Sequence, residues 1–181
     1  FFIPDGAGGL FPVDVLTANQ NSRIVQAFGV GELQEELSQN ISFGITGSLG
    51  SRFFYTADFY RITIDDRIVL TNRFDRFSTP EPFEGLAGVD AVQFFTNAIN
   101  TETMGFDLVL GYNKVFEENH NIALTFAFNY NETEVGDDIK TSSFLEQDPN
   151  LESTVFNREE RGRIESGMPN MMGNFTIDWN I

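Results

Sequence analysis

Apolar and polar side chains alternate strictly along much of this chain, most clearly in four segments. In residues 41–49, Ile41, Phe43, Ile45, Gly47 and Leu49 alternate with Ser42, Gly44, Thr46 and Ser48. In residues 104–113, Met104, Phe106, Leu108, Leu110 and Tyr112 alternate with Gly105, Asp107, Val109, Gly111 and Asn113. Residues 121–130 repeat the rule, with Ile122, Leu124, Phe126, Phe128 and Tyr130 set against Asn121, Ala123, Thr125, Ala127 and Asn129. In the last segment Phe175, Ile177, Trp179 and Ile181 face away from Asn174, Thr176, Asp178 and Asn180. A period of two puts alternate side chains on opposite sides of an extended backbone. Each segment therefore predicts a strand with one large apolar face and one small or polar face. No segment has comparable helical periodicity, although residues 158–165 (REERGRIE) have the composition for a turn or two of helix.

The links between strands set their directions. Gly50-Ser51 is a tight connection between a strand ending at Leu49 and one running from Arg52 to about Asp66, which makes a hairpin. A polar stretch to about Val89 follows, with Pro80, Pro82 and two glycines. Residues 91–113 read as one long strand rising about 75 Å, with room for a break near 97–101. Residues 114–119 form a short turn, 131–170 a long loop, and 171–181 the final strand. Residues 1–36 read as an outer loop with room for a short strand, and 37–181 as barrel strands and loops. Links that run short, long, short, long are those of an up-and-down barrel with periplasmic turns and outer loops. Compact soluble domains seldom hold structureless loops this long.

Composition narrows the class. The chain has 181 residues, 20 of them Phe, and a formal net charge of −16 from 27 acids against 11 Lys and Arg. So few cations leave little to hold a phosphate backbone, which argues against nucleic acid. There is no cysteine, so disulfides and thiolate metal sites are excluded. No apolar run reaches the roughly 18 residues of a membrane-spanning helix. The start, Phe1-Phe2-Ile3-Pro4-Asp5, has no Met and no basic segment, so it is not a signal peptide and reads as the middle of a longer chain.

Alternation by itself does not separate a membrane barrel from a soluble β-sandwich, since both have one apolar and one polar face per strand. Three details favour the barrel. The clean runs are about ten residues long, as a tilted membrane strand requires. The polar faces are rich in Gly, Ser, Ala, Thr and Asn rather than Lys and Glu, which suits a hydrated lumen. Aromatic residues (Phe53, Tyr55, Tyr112, Tyr130, Trp179) sit near the ends of the runs, where an interfacial girdle would lie.

Two stretches resemble the C-terminal half of the barrel in TonB-dependent receptors. The first is Leu33-Gln34-Glu35-Glu36-Leu37-Ser38-Gln39-Asn40-Ile41-Ser42-Phe43-Gly44. It is similar to the family's N-x-L-x-P-E-x-S-x-N-x-x-x-G region, with Glu36, Ser38, Asn40 and Gly44 in register and Glu35 in place of the usual Pro. The second begins at Tyr55 (YTADFYRITIDDRIVL) and resumes at Val92 (VQFFTNAINTETMGFDLVLGY). It looks like D-Y-Y-R-I-x-I-x-D-R-I followed, after an outer loop, by F-x-N-A-x-x-T-x-T-x-G-x-D. The later FNREERGRIESGMPN is similar to an outer-loop segment of bacteroidete-type members, without the basic residue that often follows the Pro. The resemblance covers about residues 33–181 and implies an all-β, antiparallel transmembrane barrel, here a part of five to seven strands out of 22.

It also implies an integral protein of the Gram-negative outer membrane that imports a siderophore, glycan or peptide. Its partners would be outer-membrane lipid, the rest of the receptor chain with its plug domain, TonB acting through the N-terminal region, and in some members a surface lipoprotein. None of the plug is in these residues. The competing reading is a soluble or surface-attached β-sandwich binding module, which would bury Leu124, Phe126 and Phe128 between two sheets.

Candidate chemistry is sparse, and the chain does not read as an enzyme. No Ser/His or carboxylate cluster suggests catalysis, and no cofactor-binding, metal-binding or substrate-binding residue is assigned. His120 reads as a solvated residue of a short polar turn. The pairs Asp65-Asp66 and Asp137-Asp138 fall in or beside predicted outer loops, where carboxylates can take Ca²⁺ but usually face water. Gly6-Ala7-Gly8-Gly9 lacks the Lys-Ser/Thr and helix of a phosphate loop and reads as a loop. Asn40-Ile41-Ser42, Asn131-Glu132-Thr133 and Asn174-Phe175-Thr176 match the glycosylation triplet, the first and last of them in strands.

Overall fold

Period-two segments become strands when their backbone groups find neighbours, and here they extend further than their clean alternation. The computed structural model describes residues 2–4, 10–12, 14–116 and 120–180. In chain order the elements are β1 (Phe2–Pro4), β2 (Leu10–Pro12), β3 (Val15–Ala18), α1 (Arg23–Ala27), β4 (Leu37–Leu49), β5 (Phe53–Leu70), β6 (Phe74–Asp75) and β7 (Ala91–Phe116). There follow β8 (His120–Val135), α2 (Pro149–Val155), α3 (Arg158–Ser166) and β9 (Met171–Asn180), with 3-10 turns at Glu81–Phe83 and Leu145–Gln147.

Five long strands join in the order β4-β5-β7-β8-β9, and β3 and β6 also pair with β7. This is the expected all-β, partial, unclosed barrel wall, and no described helix is long and apolar enough to cross a membrane. β7 pairs antiparallel with β8 from Thr101↔Val135 to Phe116↔His120, and β8 with β9 from Asn121↔Asn180 to Tyr130↔Met171. β1 and β2 form a separate antiparallel pair.

Several boundaries differ from expectation. β7 is one strand of 26 residues with no break at 97–101. β5 runs to Leu70 and β8 to Val135, each beyond the end of its alternating segment. The link from β4 to β5 takes residues 50–52, with Gly50 at φ 65°, a left-handed conformation that glycine adopts at little cost.

The N-terminal segment and the two long connections are not structureless. α1 starts at Ser22, whose Oγ accepts from Val25 N at 3.5 Å. α2 starts at Asp148, which accepts from Asn150 N at 2.9 Å, with Pro149 in the first turn. Asn157 Oδ1 accepts from Glu160 N at 2.9 Å at the start of α3, the helix expected from REERGRIE. α1 and α2 show little periodicity because they are only 5 and 7 residues long. Their legible signals were these capping residues.

By contact the chain divides into two units. One holds residues 1–37, 65–100 and 136–161, and the other 38–64, 101–135 and 162–181. β5 and β7 supply residues to both.

Candidate functional site

In the second unit the strand registers sort side chains by character. Antiparallel pairing places Leu110, Phe126 and Phe175 in one row, and Tyr112, Leu124 and Ile177 in the next. Residues directly opposite each other point to the same side of a sheet, so these rows build one apolar face. The other face carries Val109, Ala127 and Asn174, then Gly111, Thr125 and Thr176. Phe126 is 38% exposed and Trp179 65% exposed, while Leu124 and Phe128 are half-buried. None of Leu124, Phe126 and Phe128 is buried, as a sandwich core would demand.

β4 and β5 continue the same two faces. Arg61 pairs with Glu102, a member of the apolar set, through Nε–Oε1 and NH2–Oε2 contacts of 2.7 Å each. A Cβ placed on Gly105 would run into the ring of Tyr60, and one on Gly111 into the ring of Phe54. The even-numbered residues of β5 therefore lie on the polar face. On that face Thr46 and Thr56 share a hydrogen bond of 3.1 Å, and Asp58 lies over Gly44. Bare glycines here let larger side chains of the neighbouring strand lie across the backbone.

Charge closes both ends of the apolar face. On β7 the apolar run from Met104 to Tyr112 is bounded by Glu102 and Lys114. Twelve positions at about 3.3 Å rise, tilted by about 45°, span about 28 Å, close to the apolar band of outer-membrane barrels. Near one end Tyr130 OH donates to Glu132 at 2.8 Å. Near the other, Lys114 Nζ stands 4.1 Å over the Phe116 ring. The polar face is tied by hydrogen bonds within it. Asn129 Nδ2 donates to Asp107 Oδ1 at 2.6 Å, and Thr103 and Thr133 hydroxyls meet at 2.8 Å.

The first unit has its own core. Phe28, in the turn after α1, meets Phe74, Phe83, Phe94 and Phe144 with ring centroids 4.7, 6.2, 5.5 and 5.8 Å away. Phe74 and Phe94 stack at 5.5 Å. Ile24, Val25, Val92, Leu145 and Val155 are buried as well. Residues Ala91 and Val92 pair with β3 in parallel and with β6 antiparallel, so both edges of β7 are occupied there.

One polar junction fastens the segments of this unit. Asp66 has a left-handed backbone (φ 57°), donates its N–H to Asn100 Oδ1 at 3.0 Å, and takes Lys140 Nζ on Oδ1 at 2.6 Å. Asn97 grips Gln34 through both backbone groups, at 2.8 and 2.9 Å, and donates to Asp66 O at 2.6 Å. Glu36 Oε1 accepts from Ile68 N at 2.7 Å.

Several candidate residues land elsewhere than expected. His120 is the exposed first residue of β8, opposite Phe116, rather than a turn residue, because pairing with β7 persists to that point. Asp65-Asp66, expected at the end of its strand beside a loop, lies inside β5 because that strand runs on to Leu70, and Asp66 is paired with Lys140. Asp137 stands 3.9 Å from Arg161, and Asp138 is exposed. Asn131-Glu132-Thr133 sits inside β8, so all three triplets are in strands. Gly6-Ala7-Gly8-Gly9 lies outside the described residues, as do 117–119 of the expected 114–119 turn. Among the described residues no group of three or more His, Asp or Glu is placed to hold a metal ion.

The two stretches that carried the resemblance meet in space. Tyr60 covers Gly105, Arg61 holds Glu102, and Asp58 covers Gly44. The Phe28 cluster and the Asn97 clamp escaped sequence reading, since neither has a periodic pattern. A family model described as TonB dependent receptor-like, beta-barrel, matches residues 5–181. No curated protein and no solved structure matches the chain.

Proposed function

Because the chain belongs to the TonB-dependent receptor β-barrel family, a family of outer-membrane transporters rather than enzymes, we propose that it forms part of the wall of an importer for a scarce nutrient such as a siderophore, glycan or peptide. The observation that carries this reading is the segregation of side chains by register across β7, β8 and β9. The apolar face meets lipid, and the polar face lines a hydrated lumen. The short β4–β5 link lies at the periplasmic end, and the longer connections lie outside. Residues 14–36 are assigned to these outer connections, a reading supported by their sharing a unit with 65–100 and 136–161. Energy reaches the transporter through TonB acting on a plug domain elsewhere in the polypeptide. A surface lipoprotein is a candidate partner on the outer side.

Single cysteines test the orientation in the full-length receptor, kept otherwise cysteine-free and reconstituted in bilayers. A bimane label on Phe126→Cys is expected to be quenched by brominated lipid and spared by aqueous iodide, and one on Thr125→Cys to show the reverse. Equal quenching at both positions, or a receptor that stays monodisperse in water without detergent, would defeat the reading.

A further inference from the structure

The strand registers leave a hollow in the polar face of the second unit. Asp107, Asn129 and Met172 stand in one row across β7, β8 and β9, and Val109, Ala127 and Asn174 in the next. These side chains line a hollow of about 460 Å³, within the range of about 300–1,000 Å³ usual for ligand pockets. Phe126 and Tyr130, from the apolar rows on either side, do not line it, so it opens on the polar side. Ala127 sinks the floor, and with Val109 makes it apolar.

Around that floor the polar groups are held in place but not used up. Asn131 Nδ2 donates to Asn129 Oδ1 at 3.0 Å, and Asn129 Nδ2 to Asp107 Oδ1 at 2.6 Å. This ladder leaves Asp107 Oδ2 and the second N–H of Asn129 without a partner among the described residues. Across the hollow Thr176 Oγ1 donates to Asn174 Oδ1 at 3.0 Å, which leaves the Asn174 amide N–H groups open. Side chains already fixed by such bonds lose little freedom when a ligand binds.

Asp107 and Asn174 are two strands apart and offset by two residues, which separates their Cβ atoms by about 12 Å. One pyranose-sized ring spans that gap with a hydrogen bond at each end. Its C–H face suits the apolar floor. Its hydroxyls both donate and accept, so they serve the open carboxylate oxygen and the open amides alike. Asp107 is the one charged residue of the six and repels an anionic ligand.

We infer that this hollow is a subsite for a neutral saccharide unit, seated on Val109 and Ala127 and held at its edge by Asp107, Asn129 and Asn174. The inference rests on the reading that this face lines the lumen, and it narrows the solute to one class.

A printed array of neutral oligosaccharides, anionic oligosaccharides and short neutral peptides tests it, probed with the full-length receptor in detergent. The receptor is expected to be retained on neutral oligosaccharides and not on the other two groups. Ala127→Trp, which fills the hollow, should weaken that retention about tenfold or more, and Asn174→Ala by a similar factor. Signals are compared at equal amounts of folded receptor. Retention on no neutral oligosaccharide would overturn the inference, including the case in which a segment of the receptor itself fills the hollow. So would equal retention on the peptides or the anionic sugars, or retention unchanged in both variants. The comparison on the unaltered receptor needs no variant to fold. The bimane experiment separates the failures: correct quenching with no saccharide retained removes this inference alone, whereas wrong quenching removes the lumen reading beneath it.

Discussion

Asp66 shows what a single residue contributes. Its left-handed φ lies within an 18-residue strand, where an ordinary side chain would resist it. The turn of the backbone is stabilised by Asn97 and Asn100, which bond its carbonyl and its N–H. The ion pair to Lys140 is about half exposed on one side and a third on the other, so it adds less than about 1 kcal/mol. Backbone conformation therefore outweighs charge at this position. Asp66→Ala is expected to be about 1–2 kcal/mol less stable than Asp66→Gly, because glycine takes a positive φ freely. Hydrogen exchange of the amides in 65–68 and 97–100 measures this. Equal protection in the two variants would show that the left-handed φ costs alanine nothing at this position.

At the scale of elements the distinctive feature is a wall whose two faces differ in kind. β8 presents Phe126 to one side and Thr125 to the other, adjacent in sequence and opposite in environment. An arginine near the middle of a lipid-facing band costs about 2–4 kcal/mol in an outer-membrane barrel. Phe126→Arg should therefore lower the unfolding free energy of the receptor in lipid vesicles, read from its urea midpoint and slope, by that amount, while Thr125→Arg changes it little. Similar midpoints for the two would mean that neither face meets hydrocarbon. The glycines on the polar face act through their neighbours. Gly105 and Gly111 stand where Tyr60 and Phe54 cross β7, so a side chain at either position must push a ring off the sheet.

Over the whole molecule, long connections that lack any pattern nonetheless build a core. Phe28 draws together rings from residues 74, 83, 94 and 144, four segments distant in sequence. Removing such a fully buried ring costs about 3–5 kcal/mol. Phe28→Ala is expected to raise protease cleavage within 73–90 and 137–160 by about tenfold or more, since local opening follows local stability. Residues 101–116 and 120–135 should stay protected, and peptide mapping by mass spectrometry reads both. Simultaneous loss of protection in the strands would show that the two units unfold together.

Much of this was legible in the sequence, and the division has a physical cause. Alternation in 41–49, 104–113, 121–130 and 174–181 was enough to determine those strands and their apolar faces, while the short and long links set the antiparallel order and the motif resemblance implied the barrel class. A side-chain period of two is a local property of an extended backbone, so it is written in neighbouring residues. The motif residues Asp58, Tyr60, Arg61, Gly105 and Asp107 could be named one by one, yet nothing in their spacing said that Tyr60 would cover Gly105 or that Asp58 would lie over Gly44. Register between strands separated by a long connection depends on the summed fit of many cross-strand pairs, which only the tertiary structure decided. The same holds for the Phe28 core and the Asp66 junction. Their partners lie tens of residues apart, and short capped helices and single buried rings leave no periodic trace. The strand wall was determined by local pattern, and the folded connections and the hollow in the polar face by long-range packing.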